Sequence, residues 1–196
     1  MEQVFHSLES IEKLEPGLRE FLKNNLKLTR PAKNTFLLKE GEIANTIGFI
    51  EKGVVRGFRT KENDTERTIW FMMEYDIFIS IRSFLKQVPA TETVQTLEPC
   101  VIYSLTFQKY QELLKKYRSF QLHRAELLEK YYLLNEEREN MRQQEGKFER
   151  LCFLMEHYPG LIGRVPEKYL ASFIDTTPTY YSELKSKYLE MQQGKK

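Results

Sequence analysis

A chain of 196 residues with 41% hydrophobic and 13% aromatic content has room for two small domains and enough apolar matter for a core, which excludes wholesale disorder. Its formal net charge is +2, so any basic surface for nucleic acid has to be local. Cys100 and Cys152 lack a partner Cys or His at ligand spacing, which argues against zinc knuckles, iron–sulfur cages and a disulfide framework, and points to a reducing, cytoplasmic setting. No apolar run approaches the roughly 18–20 residues of a bilayer crossing, and the opening MEQVFHSLES lacks the order of a signal peptide, so no membrane partner is expected.

Residues 4–26 carry Phe5, Leu8, Ile11, Leu14, Leu18, Phe21 and Leu22 at three- and four-residue steps, interrupted by Pro16-Gly17, a pattern that predicts two short amphipathic helices. From Lys27 to Leu105 short β-type runs follow: Thr35–Leu38, Ile47–Ile50, Val54–Arg59, Thr68–Met73, Thr93–Leu97 and Val101–Leu105. Gly41, Gly53, Asn63-Asp64 and Pro99 mark the reversals between them, the spacing of an antiparallel sandwich or barrel. Phe107 to Met155 then keeps a helical period with no proline and a single glycine, Gly146. Within it Leu127, Tyr131, Leu134, Arg138, Met141, Glu145 and Phe148 alternate steps of four and three, a heptad seam with two charged interruptions. A helix this long needs a partner along its seam, and Leu127, Tyr131, Leu134 and Met141 are the expected dimerisation residues. After Tyr158-Pro159-Gly160 the segment VPEKYLASFIDTTPTYYSELKSKYLEMQQ reads as two short helices, with Thr176/Thr177 before Pro178 as the start signal of the second.

This order of elements resembles the Crp/Fnr family of bacterial transcription regulators. In the β half the resemblance rests on LLKEGEIANTIGFIEKGVVRGF, with Gly41 and Gly53 at the family's turn glycines. In the helical half it rests on VPEKYLASFIDTTPTYYSELKSKY, with Leu170, Ala171, Phe173 and Ile174 on the first helix, and Tyr181 and Leu184 at inward positions of the second. Ala171 is the small residue that lets the two helices cross closely. The resemblance implies an α+β chain. Its N-terminal β jelly-roll, cupin-like and similar to a cyclic-nucleotide-binding domain, would be flanked by helices over 1–116. A dimerisation helix over 117–145 and an all-α helix-turn-helix domain over 146–196 would follow. It further implies a homodimer on a palindromic DNA operator, RNA polymerase as a further partner, and a small-molecule effector in the roll.

Members that bind cyclic nucleotides hold ribose with a Gly-Glu pair and the cyclic phosphate with an arginine that follows about ten residues later. Against that cassette FISIRSFLKQVPATETVQT places Ser80-Ile81 at the Gly-Glu pair and Thr91 near the arginine. Arg82 is close in sequence but shifted in register. Ordinary cyclic-AMP binding is therefore not expected, and a cavity bordered by Phe78, Ser80, Arg82, Ser83, Phe84, Thr91 and Thr93 either holds an unidentified small molecule or nothing. His6, His123 and His157 stand singly and read as surface or helix-end residues, so no metal and no cofactor is expected.

A recognition helix reads base edges from its first turns. Here these turns offer Thr177, Thr179 and Tyr180, then Ser182 and Glu183, with Lys185 and Lys187 expected near the helix end as phosphate contacts. Glu183 stands where the pattern usually has arginine. An acid there can accept from cytosine N4 but repels phosphate. The sequence reaches Lys196 without the segment that would form a β-wing. Those two features keep open an interaction module that retains the fold without binding DNA. A cupin-like enzyme needs histidines on adjacent strands, and residues 27–105 contain none; no nucleophile–base pair or phosphate-cradling loop stands out either, so catalysis is not expected.

Overall fold

The computed structural model describes residues 1–143 and 146–193. It opens on α1 (Glu2–Glu9) and α2 (Pro16–Asn25). Pro16 is the first residue of α2 rather than a break between helices, because a missing N–H costs nothing in a first turn. Eight strands follow: β1 (Lys27–Thr29), β2 (Phe36–Leu38), β3 (Thr46–Lys52), β4 (Val55–Thr60), β5 (Glu66–Met72), β6 (Ile77–Phe78), β7 (Thr93–Thr96) and β8 (Val101–Thr106), with α3 (Ile81–Lys86) between β6 and β7.

These strands form two four-stranded sheets in the orders β1-β8-β3-β6 and β2-β7-β4-β5, a jelly roll. Non-consecutive neighbours in both sheets mean that the chain repeatedly crosses from one to the other. The interior is closed by Phe49, Ile50, Val54, Val55, Phe71, Val94, Leu97 and Ile102, all buried. Burial of this apolar surface is the main favourable term for the roll. Val55 to Phe58 are buried at every position, so β4 is covered on both faces and reads in sequence as a continuous run rather than an alternation. The strands β1 and β6 and the helix α3 carry no periodic signal, because segments of two to six residues are shorter than the windows on which periodicity rests.

The helical half corrects the expectation of one continuous helix. The stretch divides into α4 (Phe107–Lys116), α5 (Phe120–Gln143) and α6 (Lys147–His157). Tyr117 leaves the helical region at φ −122° and ψ 98°, without proline or glycine to announce it. The break serves an aromatic cluster. Phe84 of α3 meets the rings of Phe107 and Tyr110 at 5.3 and 5.4 Å, and Tyr110 meets Phe120 at 6.3 Å, all edge-on. Separating α4 from α5 at 117–119 lets rings from both enter one core, at about 0.5–1.5 kcal/mol per aromatic pair beyond the area buried. A 3-10 turn (Pro159–Leu161), α7 (Glu167–Phe173) and α8 (Pro178–Gln193) complete the chain.

The described residues divide into two compact units. The first comprises 1–59 and 70–130, and the second comprises 60–69 together with 131 onward. The division falls inside α5, and the outer end of the β4–β5 hairpin belongs with the second unit.

Candidate nucleic-acid interface and effector region

In the second unit α7 and α8 are joined by residues 174–177. Leu170, Ala171, Phe173 and Ile174 are all buried, as are Tyr181 and Leu184 on α8, so one apolar face of each helix is consumed by packing. Asp175 makes the turn at φ +59°, a left-handed conformation that aspartate tolerates better than most residues. Thr177 caps α8, its Oγ1 accepting from Tyr180 N at 3.3 Å while its carbonyl accepts from Tyr181 N at 2.9 Å. Thr177, Thr179, Tyr180, Ser182 and Glu183 are exposed, so the residues expected to read bases share the accessible side of the first two turns.

The expected phosphate contacts are placed differently. Lys185 and Lys187 lie mid-helix, since α8 runs on to Gln193. The Lys185 ammonium donates to Glu167 Oε1 at 2.9 Å, and the Ser182 hydroxyl reaches Glu167 Oε2 at 3.2 Å. Lys185 thereby holds the Glu167 carboxyl below the usual carboxylate range and ties α7 to α8. Lys187 sits over the Phe148 ring at 4.8 Å. The pairing of Lys185 with Glu167 is not revealed by spacing alone, and Lys187 stays exposed.

A cationic cluster that sequence reading missed surrounds Asp175. Its carboxylate has Lys61 at 3.4 Å, Arg67 at 3.8 Å, Lys147 at 3.8 Å and Arg150 at 4.0 Å. The hairpin is fastened to α7 as well, Thr68 N donating to Ser172 Oγ at 3.2 Å and Ser172 Oγ to Thr68 Oγ1 at 2.8 Å. Burial opposes ionisation of Asp175, but Arg67, Lys61 and Lys147 together hold its carboxyl below the ordinary value. A depressed folded-state pKa stabilises the fold above the unfolded value and loses that contribution as pH falls through the folded one. The gap in melting temperature between the wild type and Asp175→Asn is therefore expected to hold steady down to about pH 5 and to close below about pH 4. A gap unchanged at pH 3 would show that charge is not what Asp175 contributes.

The helix seam is only partly available to a partner. Leu127, Tyr131 and Leu134 are half-buried, but Met141 is 1% exposed within the single chain, so its dimerisation role is corrected: it is a core residue of this chain. Arg138 is buried as well, donating from Nε to Tyr158 Oη at 3.0 Å. Phe148 belongs to α6, and Glu145 lies outside the described residues. The exposed large apolar side chains of α5 are Leu122, Tyr132 and Leu133.

In the first unit four of the seven expected effector residues, Ser83, Phe84, Thr91 and Thr93, make contacts within the fold. Phe84 is an aromatic core residue, as above. Ser83 Oγ accepts from Ala44 N at 2.9 Å and donates to the Val88 carbonyl at 2.6 Å, stitching two loops. Arg82 is exposed on α3. Thr91 is exposed and accepts from Arg59 at 3.2 Å, and Thr93 accepts from Glu40 N at 3.1 Å. Phe78 and Ser80 are buried. His123 corrects the expectation of a surface histidine: it is fully buried, stacked on Phe120, with Nε2 2.9 Å from the Glu12 carbonyl.

The buried polar centre of the roll is instead Arg56 on β4, 1% exposed, paired across strands with Gln95. Its Nε and Nη2 donate to Gln95 Oε1 at 3.1 and 2.8 Å, and its guanidinium lies over the Phe58 ring at 4.0 Å. The available signal was a cation inside the apolar run Val54–Phe58. Among the described residues no group of three or more His, Cys, Asp or Glu is placed to hold a metal ion, and no helix is long and apolar enough to cross a membrane.

A jelly roll is followed through α5 by a C-terminal stretch that holds α6, α7 and α8. Residues 29–117 match the family described as the cyclic nucleotide-binding domain. Over most of its length the chain has the fold of the c-di-GMP responsive global regulator CLP of Xanthomonas campestris, at 14% identity and a TM-score of 0.69, covering 91% of this chain and 93% of that one. FixK2 of Bradyrhizobium japonicum matches at 14% identity and a TM-score of 0.73, over 86% of each chain. A protein described as a transcriptional regulator of the Crp/Fnr family from Eubacterium rectale matches at 11% identity and a TM-score of 0.70, over 91% and 85%. No curated protein sequence matches. Residues 29–117 thus match the cyclic nucleotide-binding domain family, and the chain has the fold of the solved regulators to which it is similar.

Proposed function

We propose that this protein is a non-enzymatic, dimeric transcription regulator of Crp/Fnr type that reads DNA through α8 and whose roll does not take cyclic AMP. The observation that carries the reading is the exposed first two turns of α8, with Thr177, Thr179, Tyr180 and Glu183 free of the packing that consumes Tyr181 and Leu184 on the opposite side. A two-fold dimer would place two such helices in successive major grooves. Selection from a random duplex pool is expected to enrich a near-palindrome with half-sites about one helical turn apart, and Thr179→Ala or Tyr180→Ala to shift the preferred bases. Glu183→Gln separates two roles. A residue that only repels phosphate gains affinity on losing its charge, whereas one that reads cytosine loses specificity. A pool that enriches nothing sinks the DNA reading in favour of the interaction module, for which the exposed Leu189 and Met191 on α8 are the available surface.

Pairing of two copies runs along α5, where a second helix would cover the half-buried Leu127, Tyr131 and Leu134. Leu134→Glu is expected to yield monomers in sedimentation at tens of micromolar, on the scale of ordinary dimer affinities. A wild-type protein that is itself monomeric there would remove the seam. In the roll, Ser80, Ile81 and Thr91 offer neither the carboxylate nor the guanidinium that ribose and cyclic phosphate require. Isothermal titration with cyclic AMP or cyclic GMP is expected to show no saturable heat, and low-micromolar binding would overturn this alignment of the cassette. RNA polymerase is the further partner such a regulator would engage.

A further inference from the structure

The outer end of the β4–β5 hairpin and the α7–α8 turn enclose an open cleft of about 770 Å³ within the second unit. Lys61 and Arg67 line it from the hairpin, Lys168 and Tyr169 from α7, and Thr177 and Tyr180 from the first turn of α8. Two carboxylates, Glu66 and Asp175, face five cations here once Lys147 and Arg150 beside Asp175 are included. Cations outnumber carboxylates in the lining of the cleft, while the hairpin tip beside it also carries the exposed Glu62 and Asp64; Lys61 and Lys168 hold their charge at the surface. Lys185 is bound to Glu167, whereas Lys61 and Arg67 share the single carboxylate of Asp175 with Lys147 and Arg150, and Lys168 lies over the Tyr169 ring at 4.8 Å. These cations outnumber the carboxylate they face and lie beside the start of α8.

We infer that the β4–β5 hairpin is a second arm of the nucleic-acid interface, in which DNA backbone phosphate enters this cleft against Lys61, Arg67 and Lys168. The inference rests on the reading of α8 as the base-contacting helix. A helix in a major groove about 12 Å wide has a phosphate strand along each side, so a group beside its first turn meets backbone rather than base edges. Thr177 and Tyr180 line the cleft and belong to the reading turn, so the hairpin arm and the base-reading surface are continuous. The hairpin sets affinity and salt dependence, while α8 sets sequence preference.

The test is the salt dependence of binding to a 30-bp random-sequence duplex, read by fluorescence anisotropy with the full chain. Each lost phosphate contact lowers the slope of log K against log salt by about 0.9, which is roughly eightfold in affinity at 0.1 M. Lys61→Gln with Lys168→Gln is expected to lower the slope by about 1.8 and the affinity about 60-fold, for every sequence alike. Asp175→Asn, whose side chain also tolerates the left-handed turn, is expected to tighten binding and steepen the slope. Tyr180→Ala should change the selected motif and leave the slope in place. A double variant that melts like the wild type and keeps its slope, while Tyr180→Ala still alters the motif, removes the hairpin arm and leaves the α8 reading standing. A wild-type protein that binds no duplex removes both.

Discussion

Replacing Tyr181 by alanine is expected to cost about 3–5 kcal/mol and to dismantle the α7–α8 pair, whereas phenylalanine at the same position should cost nothing or stabilise slightly. Tyr181 is fully buried, so truncation leaves a ring-sized cavity. The hydroxyl contributes little to this. Its oxygen is buried without a hydrogen-bond partner, and burial, reinforced by Glu167, pushes the phenol up to about 12, so it stays neutral throughout the accessible range. Removing an unsatisfied polar group removes its desolvation cost. Chemical denaturation followed by the helical signal separates the outcomes. Duplex binding should follow, lost in Tyr181→Ala and intact in Tyr181→Phe. If Tyr181→Phe destabilises by more than about 1 kcal/mol, the hydroxyl has a role that its surroundings do not show, and the packing account of this position fails.

The second large effect is expected at Gly53, where alanine should destabilise the first unit by about 3–5 kcal/mol, combining backbone strain with overpacking. Gly53 sits at φ +111°, a region essentially reserved for glycine, and its N–H donates to Glu74 Oε1 at 2.8 Å. An added Cβ would stand 2.5 Å from Cys100 Sγ, 3.0 Å from Cys100 Cα and 3.1 Å from Cys100 Cβ. The sulfur could be removed, but the backbone could not move without shifting β8. A double variant, Gly53→Ala with Cys100→Ala, is therefore not expected to recover stability. Recovery would locate the constraint in the sulfur alone. Gly41, at φ +85° with nothing within 4 Å of where a methyl group would stand, should cost only the conformational part, about 1 kcal/mol. The two turn glycines that look equivalent in the sequence thus differ severalfold in consequence.

Part of this architecture is local and was open to reading. Ile47–Ile50, Val54–Arg59, Thr93–Leu97 and Val101–Leu105 became β3, β4, β7 and β8 within one or two residues, because β-branched and aromatic runs between turn residues have few other ways to bury their side chains. The inward residues of α7 and α8 were likewise legible, since their spacing follows the helical period, and Pro178 after Thr177 names its own helix start. What the tertiary structure decided is everything that depends on partners distant in sequence. The break at Tyr117 has no local cause and answers to the rings of Phe84, Phe107 and Phe120. Met141, Arg138 and His123 look like positions on a free helix until neighbouring elements cover them. Lys185 looked free until Glu167, 18 positions earlier, claimed its charge. Lys61 and Asp175 are 114 positions apart, and no spacing rule links them. A period reports which face of an element is apolar; which charges meet is set by strand register and the path of the hairpin, and these exist only once the chain has folded.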